Sequence, residues 1–327
     1  MDTPVITSIS NATGVIALNR PRALNSLNPE MVEIIAEALE SWRDDDTVEQ
    51  VLIHAPERGF CAGGDVRAAR EAVLEGKSDE ADQFFAGEYR LNNLLAEYPK
   101  PFAALADGVI MGGGQGISMH GSHRIVTENA FASMPEMAIG YITDVGMSYA
   151  LQAITGKATG RFLALTGYRL KAEDMLHTGL ATHVVDSPDI EALTRQSFDD
   201  VLADARTTAI DPPIARVAED IEAVFRYGSW EEIDKALRSH DNQEFVELVD
   251  ELIAGASKAS LVATAELLAV NAERNLSEAL DNELRLGSFM IRQPDFAEGV
   301  RAVLVDKTKD ASFGDPLPAS EYRQYLR

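Results

Sequence analysis

Two glycine clusters, Ala62-Gly63-Gly64-Asp65 and Gly112-Gly113-Gly114, each follow a short apolar run and lead into a helical pattern. A strand that ends in a glycine turn and feeds a helix, repeated along one chain, narrows the choice of folds sharply. Parallel strands need long crossovers, and a helix packed on the sheet is the usual one. An α/β fold with parallel pairing is therefore expected.

The flanking pattern agrees. VITSIS (5–10) and GVIALN (14–19) are rich in β-branched residues and meet at Asn11–Gly14, a hairpin signal. VEQVLIHA (48–55), PFAALADG (101–108), RIVTENA (124–130) and ATHVV (181–185) read as further strands. Asn28 and Pro29 form an N-cap and first helical residue, ahead of Met31, Ile34, Ile35, Ala38, Leu39 and Trp42 at helical spacing. Residues 66–98 read as helix interrupted by an exposed turn at EGKSDEAD, and 143–155 and 157–165 as helices. FASMPEMAIG, between strand and helix, reads as a loop, and MGGGQG as the opening of a helix. Past about residue 190 strand signals cease, and alanine, leucine and acidic residues dominate. The expected organisation is a core over 1–190 that carries the site and a helical region over 191–327. A chain of 327 residues is long enough for either one large domain or two modest ones.

Charge excludes some partners. The chain has 53 acidic and 29 basic residues, a net charge of -24, and the excess is spread along its length. No stripe of lysine and arginine could track a phosphate backbone or an anionic bilayer, so nucleic acid and membrane are not expected partners. An anionic small molecule would need local arginines or helix N-termini. Cys61 is the single cysteine, which rules out intramolecular disulfides and cysteine-based zinc sites. The opening MDTPVITSIS lacks the patterns of secretory and transit peptides, and no 18-residue apolar run is present. A cytoplasmic protein is expected.

Several catalytic signatures are missing. The chain has no GxSxG, no GxxxxGK[ST] and no HExxH, and Ile117 stands where GxGxxG would need its third glycine. His120 and His123, three apart, are read as ordinary histidines rather than metal ligands. The two glycine turns are open to two readings. Glycine permits tight strand-to-helix packing, and it also lets backbone N–H groups face a ligand. Two such donors from separate turns could hold one carbonyl oxygen as an oxyanion hole. Among carboxylates, Glu136 in SMPEMAIG has the apolar setting of a general base. Asp144 in ITDVG and Glu88 in GEYRLNN, taken alone, read as a helix cap and a solvated helix residue. Cys61 reads as a packed residue, with no base placed to make it a thiolate.

Taken in order, NRPRALNSL (19–27), GFCAGGDV (59–66), PKPFAALADGVIMGGGQGISMHG (99–121), ASMPEMAIG (132–140) and LTGYRLKAEDMLHTGLATHVVD (165–186) resemble the crotonase (enoyl-CoA hydratase/isomerase) superfamily. The resemblance is closest to its 3-hydroxyisobutyryl-CoA hydrolase branch, through GEYRLNN, IMGGGQGISMHG, MPEMAIGYITDVG, LTGYRLK with THVVD, and DFAEGVRAVLVDK (295–307). It covers nearly the whole chain apart from about 190–255. It implies a spiral of ββα turns followed by helices, with Gly64 and Gly113 supplying the oxyanion-hole amides. It places coenzyme A near Arg22, Ala23, Leu24, Ala62 and Asp65, with Glu88 and Gly112 as further substrate-binding residues.

Gly116 stands where enoyl-CoA hydratases of the superfamily carry a glutamate. A glycine can neither hold nor transfer a proton, so two-glutamate hydration is not expected. The hydrolase branch instead pairs Glu136 with Asp144. Thr143 replaces an expected proline and Met147-Ser148 an expected glycine pair, departures that bear on acyl-chain selectivity. The resemblance implies thioester hydrolysis, in valine degradation, with no metal or redox cofactor and coenzyme A entering only as part of the substrate. It also allows a homo-oligomer. Two alternatives stay open: hydration or isomerisation of another acyl-CoA, and a catalytically silent CoA-ester-binding protein.

Overall fold

The computed structural model describes residues 3–57, 59–187 and 189–327. Met1 and Asp2 of the opening segment, Arg58 in the loop before the first glycine turn, and Pro188 lie outside them. Two compact units are interleaved along the chain. One comprises Met1–Gly64, Gly87–Ala132 and Arg169–Ala215, and the other Asp65–Ala86, Ser133–Tyr168 and Arg216–Arg327. The change of texture near residue 190 follows the last strand, whereas the units cut across chain order.

The first unit is built on a sheet. Strands β1 (Val5–Ser10), β2 (Thr13–Leu18), β3 (Gln50–His54), β4 (Phe102–Ala106), β6 (His123–Thr127) and β9 (His183–Val185) lie in the order β1-β2-β3-β4-β6-β9. The β1–β2 pair is antiparallel and every later pair is parallel. Asn11 and Ala12, both left-handed, make the two-residue hairpin turn. Every residue of β3 and β4 is buried, as expected of central parallel strands covered on both faces.

Helix α1 (Pro29–Arg43) starts where the sequence indicates, with Asn28 Oδ1 accepting from Met31 N at 2.9 Å. Trp42 of α1 lies so close to Gly14 of β2 that a Cβ there would fall 2.5 Å from its ring. Leu52, Ala103, Leu105 and Ile125 of the sheet pack with Leu193, Phe198 and Leu202, from and next to helices α8 (Ile190–Arg195) and α9 (Phe198–Val201). Gln50 secures that layer: its Nε2 donates to Leu193 O and Gln196 O, and its Oε1 accepts from Phe198 N.

Two features depart from the expected pattern. FASMPEMAIG is not wholly irregular: β7 (Phe131–Ser133) pairs antiparallel with β8 (Leu170–Lys171), beside β5 (Val109–Met111) in a three-stranded sheet. Strands of two or three residues are too short for alternation to reveal. The second glycine turn opens only a single helical turn, α4 (Gly113–Gly116), because three of its four residues are glycine, the poorest helix former after proline.

Helices fill the second unit. They are α2 (Val66–Leu74), α5 (Met147–Thr155), α6 (Lys157–Thr166), α10 (Ala218–Phe225), α11 (Trp230–Arg238), α12 (Gln243–Ile253), α13 (Lys258–Asn271), α14 (Leu276–Met290), α15 (Pro294–Val300) and α16 (Ala319–Arg323). Helix α3 (Ser78–Ala96) begins in this unit and ends in the other, and α7 (Ala172–Thr178) belongs to the sheet-based unit. α13 is buried on nearly all sides, which is why its apolar residues show no clear stripe. Phe162, Phe225 and Phe245 form an aromatic cluster among α6, α10 and α12. No single helix among the described residues is long and apolar enough to cross a membrane.

Candidate active site

The first glycine turn is held by a loop that precedes it by nearly forty residues. Pro21–Ala23 form a 3-10 turn, and Leu24 and Asn25 are both left-handed. That geometry drives the Asn25 side chain inward, where its Nδ2 donates to Gly59 O (3.1 Å) and Phe60 O (3.0 Å) and its Oδ1 accepts from Arg20 N. Ala62 N donates to Leu24 O and Leu27 N to Gly63 O. The structure thus brings Ala62 and Leu24 together, with Arg22 exposed and Ala23 half-buried on the same loop. Cys61 is wholly buried, its thiol donating to Asn25 O. Burial, reinforced by the nearby charge of Glu88, pushes that thiol up to about 12, so it is a packed residue and not a nucleophile.

The second turn lies against the first. Cys61 and Ile110 form a parallel bridge, with Cys61 N donating to Val109 O and Met111 N to Cys61 O. Gly112, with φ at 46° and ψ at -120°, reverses the chain, and its carbonyl accepts from Gln115 N and Gly116 N. At Gly113 the approach is extremely close. A Cβ there would lie 2.2 Å from Glu88 Oε1, 3.1 Å from Gly64 N and 3.3 Å from Leu27 Cδ1. Gly64, Gly113 and Glu88 therefore share one small space within the sheet-based unit. Glu88 is only 1 % exposed, not the solvated helix residue that its local sequence suggests.

Asp65, Glu136 and Asp144 belong to the helical unit. Asp65 caps α2, its carboxylate accepting from Ala68 N at 3.4 Å. Glu136 is buried and begins a 3-10 turn, Glu136–Ile139, that is pinned from several sides. Met137 O accepts from Ser257 N, and Ser133 Oγ donates to Gly167 O. Gly140, which closes the turn at φ 70°, faces Asp295 O so closely that a Cβ would fall 2.3 Å away.

Asp144 is also buried, and its carbonyl accepts from Met147 N. Val145 and Gly146 after it are both left-handed. Gly146 N donates to Glu283 Oε2 at 2.7 Å and Ser148 N to Glu283 Oε1 at 3.3 Å, while the Ser148 hydroxyl also bonds Glu283 Oε1. Asn271 Nδ2 donates to Ser148 Oγ, and Asn282 Nδ2 to Asn271 Oδ1. Burial raises the Glu283 carboxyl to about 8, and the charge of Asp144 adds to that rise. Glu283 escaped the sequence reading although a signal was present: it occupies the apolar face of α14 with Ala279, Leu280, Leu286, Gly287 and Met290. His123 bonds Ser122 and Asp199, and no group of three metal-binding side chains is found among the described residues.

Fold and turns together define the crotonase class. A carnitinyl-CoA dehydratase from Mycobacterium thermoresistibile superposes with a TM-score of 0.91 at 34% identity, over 100% of this chain and 97% of that one. An enoyl-CoA hydratase from Rhodobacter sphaeroides 2.4.1 gives 0.86 at 33% identity, over 99% and 97%. The chain belongs to the enoyl-CoA hydratase/isomerase family, whose profile matches residues 13–319. Among curated relatives, the mitochondrial 3-hydroxyisobutyryl-CoA hydrolase of Xenopus tropicalis is 39% identical over 94% of this chain and 83% of its own length. The human protein of the same name is 39% identical over 93% and 82%. Those two relatives are named for a compartment other than the cytoplasm expected from sequence.

Proposed function

We propose that this enzyme hydrolyses the thioester of a short 3-hydroxyacyl-CoA, with 3-hydroxyisobutyryl-CoA of valine breakdown as the preferred substrate. The observation that carries the reading is the meeting of the Gly64 and Gly113 turns beside the buried Glu88 carboxylate. The curated hydrolases that match along nearly the whole chain support it.

In this reading the thioester oxygen accepts from Gly64 N–H and Gly113 N–H. Negative charge grows on that oxygen when the carbonyl carbon is attacked, and each fixed donor is worth about 3–4 kcal/mol at that point. Glu136 supplies the attack by one of two balanced routes. As nucleophile it forms an acyl–glutamyl anhydride, coenzyme A thiolate leaves and takes a proton, and water cleaves the anhydride. As base it removes a proton from water, whose oxygen bonds the acyl carbon as the C–S bond breaks. Either route yields the 3-hydroxy acid and free coenzyme A. Asp144 orients the 3-hydroxyl or handles the proton, and Glu88 fixes the acyl end. Arg22, Ala23, Leu24, Ala62 and Asp65 line the path of coenzyme A, and Gly112 shapes the turn beside the carbonyl. The chemistry calls for no metal or redox cofactor.

A second reading, hydration or elimination on an acyl-CoA, draws on the names of the two solved neighbours. Gly116 argues against it, since a residue without a side chain cannot deliver the second proton. A panel of acyl-CoA esters, scored both for free thiol and for the ultraviolet absorbance of the conjugated enoyl thioester, separates the readings. Thiol release fastest from the 3-hydroxyisobutyryl ester is the expected result. Enoyl turnover without thiol release overturns hydrolysis, and tight binding without either product marks a silent binder. Cytoplasmic placement and homo-oligomeric assembly belong to the same reading, checked by cell fractionation and light scattering.

A further inference from the structure

Glu283 is a wholly buried carboxyl that the proposed chemistry does not use. Both of its oxygens are spent on one short stretch of chain, the start of α5. That stretch follows two consecutive left-handed residues, of which Val145 is β-branched and so poorly suited to φ of 53°. A conformation of this kind persists only where its surroundings hold it. The Thr143 hydroxyl ties the near side of the turn to Ala164 O, and Glu283 ties the far side, backed by Asn271 and Asn282 through Ser148. Asp144 lies between the two anchors.

We propose that Glu283 is a positioning residue for Asp144: by gripping Gly146 and Ser148 it sets the turn that aims the Asp144 carboxylate. The inference rests on the reading that Asp144 serves the hydroxylated end of the substrate. Ser148 and Glu283 act as one unit, since the hydroxyl that replaces an expected glycine is the bridge between Glu283 and Asn271. The Gly146 amide donates to Glu283 Oε2, and the Ser148 amide and hydroxyl both donate to Glu283 Oε1. Glutamine keeps an oxygen for Gly146 N and a nitrogen that can donate to Ser148 Oγ, losing only the longer contact from Ser148 N, whereas leucine keeps none of the three.

The test compares E283L, E283Q and S148A, alone and combined with D144N, on 3-hydroxyisobutyryl-CoA and on unhydroxylated isobutyryl-CoA. E283L is expected to lower kcat on the hydroxylated ester on the order of a hundredfold with a smaller change in KM, as a misaimed group does. E283Q should stay within about threefold of wild type, and S148A should lose several-fold, giving a second measure should E283L fold poorly. In the D144N background neither E283L nor S148A should lower kcat further. Hydrogen exchange at the Gly146 and Ser148 amides should quicken in E283L and not in E283Q.

Losses that add to that of D144N, equal losses on both esters, or unchanged exchange in E283L would overturn the proposal. A D144N enzyme as fast as wild type would instead remove the assigned role of Asp144. The exchange experiment then still decides whether Glu283 holds the turn.

Discussion

Gly113→Ala separates backbone packing from oxyanion chemistry. The φ of Gly113 lies outside the left-handed region, so alanine meets no backbone strain there. The added methyl would stand 2.2 Å from Glu88 Oε1, 3.1 Å from Gly64 N and 3.3 Å from Leu27 Cδ1. A carbon–oxygen contact relaxes at about 3.3 Å, so the Glu88 carboxylate must retreat by about 1 Å. That carboxylate ends a flexible side chain, which limits the stability loss to an overpacking cost of about 1–3 kcal/mol. Against a typical total of about 5–15 kcal/mol, most molecules stay folded. The catalytic loss should be larger. A methyl wedged beside Gly64 N crowds the donors and displaces Glu88, which removes about 3–4 kcal/mol of transition-state stabilisation, or a factor of about 10² to 10³ in kcat. Thiol release from 3-hydroxyisobutyryl-CoA and a melting curve, measured on the same preparation, test both halves. Gly255→Ala, where no atom lies within 4 Å of the new methyl, is the control. If Gly113→Ala keeps kcat within about threefold of wild type, the Gly113 amide is not an oxyanion donor.

Three further expectations concern carboxylates. Glu136→Gln should cut kcat by about a thousandfold or more while KM stays near its wild-type value; near-normal thiol release would show that another group attacks. Asp144→Asn should slow hydroxylated esters at least about tenfold more than unhydroxylated ones, and equal slowing would remove its contact with the 3-hydroxyl. Glu283 gives a pH effect on stability. Its folded carboxyl lies at about 8 against 4.5 in the free chain, so between these values the folded protein holds a proton that the unfolded one has released. Stability from this group is therefore full below pH 4.5 and is lost as pH rises toward 8. Glu283→Gln should gain on wild type across that window by up to about 5 kcal/mol in chemical denaturation, and a pH-independent difference between the two would refute the burial argument.

Much of the architecture is legible in local pattern. Strands β1 to β4, β6 and β9, the capped α1 and the helical texture beyond residue 190 all follow from periodicity, caps and glycine turns, because each is decided by neighbours a few positions apart. The very short strands β5, β7 and β8 are not, since pairing partners rather than intrinsic preference create them. The glycine turns could be recognised as sites where backbone comes close to something, without revealing what.

Residue type and order alone established an acidic, single-cysteine α/β chain with two glycine turns, and the family resemblance they carry marked Gly116 as the position where a second glutamate would be needed. The folded structure alone decided which distant groups meet. Glu88, read locally as an exposed helical residue, ends wedged against Gly113, and Glu283, far along the chain, closes over the turn after Asp144. The reason is physical. Local pattern encodes backbone preference over one or two turns, whereas burial of a carboxylate depends on surfaces brought together from segments up to 137 residues apart, as Gly146 and Glu283 are.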